Sequence, residues 1–299
     1  MKKKYTLLFS FMLFFMGLNA QETPTVEIKN TIVELKIKPS ATDSTIVATD
    51  VAHWVRYDST KLKNKLFLFL PGTNGIPVRG PKKLFDTAIE LGYPVINLSY
   101  INQPAVARIC RGENLIADAK CAEKFRTQRV FGTQVTPLIQ DEPQDAIVPR
   151  LTKLLQYLVK FDKKGNWNNY LENGAPKWNE IIVTGQSQGG GMAAFIAKKK
   201  LVHRMISFSG GWDYAAKNKI AGWYANESIT PAERWFGTYH AEEPKAETID
   251  ASYVAMEIPK DQIFRLTKKV REGRRAHGEA IRNTTYKELW VKLLTTASN

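Results

Sequence analysis

Two cysteines and four histidines in 299 residues leave little material for a metal centre. Zinc modules cluster Cys and His at short spacings, and Cys110 and Cys121 have no His or third Cys close by. No metal and no other cofactor is expected. Apolar runs are scarce as well. Beyond the first 20 residues none approaches the ~20 apolar residues that a membrane span requires, so stable membrane insertion is not expected. Internal repeats and low-complexity tracts are absent. Acidic residues are short too, 29 against 43 Lys and Arg, for a formal charge of +14. The cations are scattered, and the tightest run, Lys198-Lys199-Lys200, closes a predicted helix, where positive charge suits the helix dipole. The excess therefore reads as a solvated basic surface, with no nucleic-acid partner expected.

What is present begins with a leader-like segment. Lys2, Lys3 and Lys4 precede an apolar stretch from Tyr5 to Leu18, and Ala20 supplies a small residue before polar Gln21. Basic, apolar, then small is the order of a secretory signal peptide. Residues 1–20 are expected to be removed, leaving 21–299 as a single domain in a secreted or periplasmic protein. No Cys follows the apolar run, as a lipoprotein anchor would need. In an exported chain Cys110 and Cys121 are expected to form a disulfide.

The periodicity changes along the chain. Val33, Leu35 and Ile37 alternate with polar neighbours, as do Val51, His53 and Val55, which predicts antiparallel strands with one wet face. Leu66–Leu70 is instead a continuous apolar run stopped by Pro71-Gly72, as in a strand buried on both faces. Similar runs occur at 95–98, 181–183, 205–208 and 263–266, with helices predicted at 81–91, 141–161, 188–201 and 284–294. Strands alternating with helices predict an α/β fold: a mainly parallel sheet with an antiparallel N-terminal edge and helices on both faces. Two stretches, 101–140 and 165–177, read as irregular.

Gly185-Gln186-Ser187-Gln188-Gly189 sits between the run ending at Thr184 and the helix-forming Met192–Ala197. A strand, a sharp turn and a helix would lift Ser187 to an exposed apex, with the glycines making room. An oxyanion hole needs two backbone N–H groups. Gln188 is one candidate donor. Thr73, in the loop opened by Pro71-Gly72, is the other, with Asn74 next.

These features resemble the α/β-hydrolase superfamily in its lipase and esterase style. Ser187-Gln188-Gly189-Gly190-Gly191, the later Arg204-x-Ile206-x-Phe208-Ser209-Gly210 and the cysteine loop resemble a group of secreted bacterial hydrolases within it. Many of that group carry His where this chain has Gln186. The resemblance implies a Ser–acid–His order, which favours His277 over His240 as the base. His53 and His203 lie far from where a base belongs. For the acid, the resemblance favours Glu243, with Asp213 and Glu242 as alternatives. The expected activity is ester hydrolysis on a small-molecule substrate through a serine triad. A serine peptidase or acyltransferase, or a non-catalytic binding protein on the same fold, remains the alternative. Trp212, Tyr214, Trp223, Tyr224 and Trp235 read either as an acyl pocket or as core.

Overall fold

Alternate residues of a strand point to opposite faces, and Leu66–Leu70 feeds two cores in this way. Leu66, Leu68 and Leu70 join one buried apolar cluster, and Phe67 and Phe69 join the other. All five are buried, so the strand has helices on both sides. Cutting one of these leucines to Ala would cost roughly 2–5 kcal/mol. The computed structural model describes residues 25–29 and 31–296. The expected leader, residues 1–20, lies outside the described residues.

The described residues form one nine-stranded sheet: β1 (Thr25–Lys29), β2 (Ile32–Ile37), β3 (His53–Asp58), β4 (Leu66–Leu70), β5 (Val95–Asn97), β6 (Ile181–Gln186), β7 (Arg204–Phe208), β8 (Trp235–His240) and β9 (Ile263–Leu266). Their spatial order is β1-β2-β3-β5-β4-β6-β7-β8-β9. β1, β2 and β3 are antiparallel to their neighbours, and every pair from β5 to β9 is parallel. That is the expected mainly parallel sheet with an antiparallel edge.

The main helices are α1 (Lys82–Glu90), α2 (Cys121–Phe131), α3 (Ile147–Phe161), α4 (Gln188–Lys199), α5 (Ala246–Ala255) and α6 (Lys287–Thr295). α1 and α6 pack in the cluster holding Phe67 and Phe69, whereas α2 to α5 cover the opposite face. α3 buries Leu151, Leu154, Leu155 and Leu158 along one stripe, as its sequence period demands.

Several boundaries differ from the sequence reading. Residues 141–161 hold a helix only from Ile147, because Pro143–Asp145 forms a separate 3₁₀ turn. Val51 lies outside β3 and is exposed. The larger difference is α2, inside the stretch expected to be irregular. Its buried side includes Arg126, Gln128 and Arg129, so no apolar period betrays it. α5 was hidden for a related reason: it buries Ala246, Ile249, Ser252 and Tyr253, two of them small.

Cys110 and Cys121 are joined in a disulfide with a Cα–Cα distance of 5.6 Å. Both are buried, and the bridge fixes the loop before α2. No helix among the described residues is long and apolar enough to cross a membrane.

Candidate active site

Because β4 and β6 to β9 run parallel, the loops leaving them gather at one edge of the sheet, where open α/β sheets place their sites. Ser187 is the single residue between β6 and α4. It adopts φ +59° and ψ −124°, a conformation that costs a non-glycine residue about 1–3 kcal/mol. The neighbours impose it. A Cβ on Gly185 would come within 2.3 Å of the Gly189 carbonyl, and one on Gly189 within 2.0 Å of Leu70 O. The Ser187 N–H donates to Phe208 O at 2.8 Å, locking the turn to β7.

Gly72 lies against this turn: a Cβ there would stand 2.6 Å from Gln186 Oε1 and 3.0 Å from Ser187 Cβ. Its loop is tightly held. Tyr100 donates to Pro71 O at 2.6 Å, and Asn102 Nδ2 to Gly75 O at 2.8 Å. The backbone N–H groups of Thr73 and Gln188 donate to no protein acceptor among the described residues. The Gln188 side chain is tied back, accepting from Val106 N–H at 2.9 Å and donating to Asn102 O at 2.8 Å. Its N–H stays at the positive end of α4.

His277 Nδ1 lies 2.6 Å from Glu243 Oε2. Glu243 Oε1 accepts from Ser209 Oγ and from the His240 N–H, each at 2.7 Å. Burial works against the Glu243 charge, yet the hydrogen bonds from His277, His240 and Ser209 outweigh it and hold the carboxyl below its ordinary range. An ionised Glu243 can only accept, so Nδ1 of His277 carries the proton and Nε2 is left as the acceptor. Gln186 Nε2 donates to His277 O at 3.1 Å, which brings the histidine loop to the residue beside Ser187. The Ser187 hydroxyl and His277 Nε2 are not hydrogen-bonded in this structure. Such bonds often close only when substrate is bound.

The other acids and histidines have different partners. Asp213 accepts from Arg126 Nε at 2.6 Å and Nη2 at 2.8 Å, and from Trp223 Nε1 at 2.9 Å. Glu242 is exposed. Its N–H donates to His240 Nδ1 at 3.2 Å, while His240 Nε2 sits 2.8 Å from Lys268 O, so both ring nitrogens are used by backbone. His53 is buried in β3 and accepts from Ser99 N–H. His203 stands at the opposite edge of the sheet, just before β7.

The aromatic group divides. Trp223, Tyr224 and Trp235 are core, whereas Trp212 and Tyr214 are half-buried and line a cavity of about 460 Å³. The Trp212 ring lies 5.2 Å from the His277 ring. A second cavity, of about 230 Å³, is bordered by Gly72, Thr73, Gln186, Arg79 and Arg282.

Sequence reasoning missed Ser209 and Arg126. Ser209 was visible only as part of a family-like string, and its bond to Glu243 needs the spatial adjacency of β7 and β8. Arg126 sat in a stretch with no periodic signal. A Cβ on Gly191 would come 2.4 Å from Arg126 Nη2, so the third glycine after Ser187 makes room for a buried guanidinium. Among the described residues, no three or more His, Cys, Asp and Glu side chains converge as a metal site would need.

No protein-family model matches the chain, and no curated protein matches it. Solved structures do. A cold-adapted esterase from an Arctic intertidal metagenomic library is similar over 89% of this chain and 96% of its own, at 10% identity and a TM-score of 0.48. A dienelactone hydrolase from Anabaena variabilis is similar over 90% and 98%, at 11% identity and 0.45. An acetyl xylan esterase from Paenibacillus sp. R4 is similar over 89% and 88%, at 14% identity and 0.43. The strand order from β2 to β9, the antiparallel second strand of that set and the helical crossovers are decisive by themselves. This chain has the α/β-hydrolase fold.

Proposed function

We propose that this chain is an exported serine hydrolase that cleaves carboxylic esters through Ser187, His277 and Glu243. The observation that carries the reading is the Glu243–His277 hydrogen bond, formed in the loop that Gln186 ties to the Ser187 turn. His277 Nε2 would take the Ser187 proton as Oγ attacks the ester carbonyl. The resulting oxyanion would be met by the N–H groups of Gln188 and Thr73, which have no protein acceptor. Collapse would break the C–O bond, and His277 would return its proton to the departing alcohol. Water, deprotonated by His277, would then cleave the acyl-enzyme and restore Ser187. The buried charge on Glu243 stabilises the imidazolium formed in both halves. No step calls for a metal or other cofactor. The leader pattern of residues 1–20 and the Cys110–Cys121 bridge support a secreted or periplasmic location.

The test is covalent labelling by a fluorophosphonate together with turnover of p-nitrophenyl esters. Wild type is expected to be labelled and active, and Ser187→Ala to lose both, by several orders of magnitude in kcat. A folded Ser187→Ala protein that retained more than about a tenth of the activity would remove the serine mechanism, since triad loss costs far more.

A further inference from the structure

The larger cavity, beneath Trp212, has a composition that the hydrolytic mechanism does not explain. Val106, Leu115 and Trp212 give it apolar walls, and Arg111, Lys217 and Lys245 supply three cations. None of the three cations has a carboxylate partner among the described residues; Lys245 reaches Tyr214, its Nζ 3.2 Å from the hydroxyl and 5.4 Å from the ring centre. Asp213 is the one acid lining the cavity, and both its oxygens are spent on Arg126. That pair is neutral as a unit, so the cavity keeps a net positive field.

Two contacts connect the cavity to the nucleophile. Trp212 is a wall of the cavity, and its ring also lies 5.2 Å from that of His277, tilted by 59°. Val106, another wall residue, donates its N–H to the side chain of Gln188, the residue after Ser187. The cavity wall thus touches His277 and Gln188, on either side of Ser187 in the proposed site, and its three cations are exposed. The disulfide steadies the cavity wall, because Cys110 lines it and Cys121 begins α2.

We propose that this cavity binds the acyl part of the substrate, an apolar body ending in an anionic group such as a carboxylate. The inference rests on the serine-hydrolase reading above and narrows its substrate class. Apolar burial would hold the body of the acyl chain. Arg111, Lys217 and Lys245 would meet its charged end, with the Arg111 guanidinium suited to a carboxylate. The chain stays strongly basic without the leader's Lys2, Lys3 and Lys4, and that charge would draw such substrates in.

The experiment compares p-nitrophenyl octanoate with the p-nitrophenyl hemiester of octanedioic acid, which has the same leaving group and length but adds a terminal carboxylate. Rates are corrected for spontaneous hydrolysis, and Ser187 is labelled with a fluorophosphonate in parallel. The hemiester is expected to have the higher kcat/KM, by on the order of tenfold, since three exposed cations at roughly two- to fivefold each act together. Added salt should erode that preference. Lys217→Gln and Lys245→Gln, made singly and together, should lower the ratio of kcat/KM for the hemiester to that for the octanoate, and an unchanged ratio would overturn the anionic subsite. Equal rates for the two esters, with Ser187 labelled normally, would overturn the anionic subsite and keep the hydrolase. Failure of Ser187 to label, with neither ester turned over, would overturn the hydrolase reading itself and this inference with it.

Discussion

Glu243 divides its two oxygens: Oε2 faces His277 Nδ1 at 2.6 Å, while Oε1 is held by Ser209 and the His240 N–H. A carboxylate fixed on one side can orient an imidazole on the other. Glu243→Gln preserves the shape but can present an N–H to Nδ1, favouring the wrong tautomer. It is expected to lower kcat by about 10²-fold or more, with the melting temperature little changed. Steady-state kinetics beside a thermal melt would check this, and near-normal kcat would exclude Glu243 as the orienting acid.

Asp213→Asn should show the opposite pattern. Asp213 and Arg126 are both almost wholly buried, with side chains 2% exposed, so removing one charge strands the other. The expected loss is about 3–5 kcal/mol of stability, with kcat per folded molecule within about tenfold of wild type. Urea unfolding gives the first number and kinetics at low temperature the second. A variant as stable as wild type would show that the pair does not hold the loop.

The strain at Ser187 is separable from its chemistry. Glycine takes φ +59° without steric cost, so Ser187→Gly should be inactive yet more stable by about 1 kcal/mol. A chemical denaturation midpoint no higher than that of Ser187→Ala would show that the turn is not strained in solution.

Acid should destabilise the fold before it reaches the carboxylates. Burial, with Arg150 nearby, pushes His53 from 6.5 down to about 3, and burial with Lys65, Arg204 and Arg234 brings His203 to about 4. Between these values and 6.5 the unfolded chain binds protons that the folded chain does not. The stability that these two neutral histidines contribute is therefore complete above about pH 6.5 and is lost as the pH drops toward their folded values. For His53 alone the loss by pH 4.5 is roughly 3 kcal/mol. His53→Gln, which keeps an acceptor for the Ser99 N–H, should flatten the decline in melting temperature between pH 7 and 4.5. An equally steep decline would show that His53 is not its source.

Much of this architecture could be read from the residues. Leu66–Leu70 and Ile181–Val183 are continuous apolar runs because they lie inside a sheet covered on both faces, and both runs fall within strands. Gly185-x-Ser187-x-Gly189 is a local statement: two positions without side chains flank one strained turn, and the geometry at Gly185 and Gly189 supplies the steric reason. Other features depend on residues distant in the chain. α2 escaped detection because it buries Arg126 and Arg129 against Asp213 and Asp141, partners 87 and 12 residues away, and a buried ion pair looks like surface in a hydrophobicity pattern. Glu242, Glu243 and Asp213 are equivalent as carboxylates in the sequence. The packing of β7 beside β8 put Ser209 against Glu243 and left Glu242 exposed, and the buried guanidinium of Arg126 claimed Asp213. Local backbone sterics determined where the serine turn would be; long-range pairing of buried charge decided which acid stands behind the histidine.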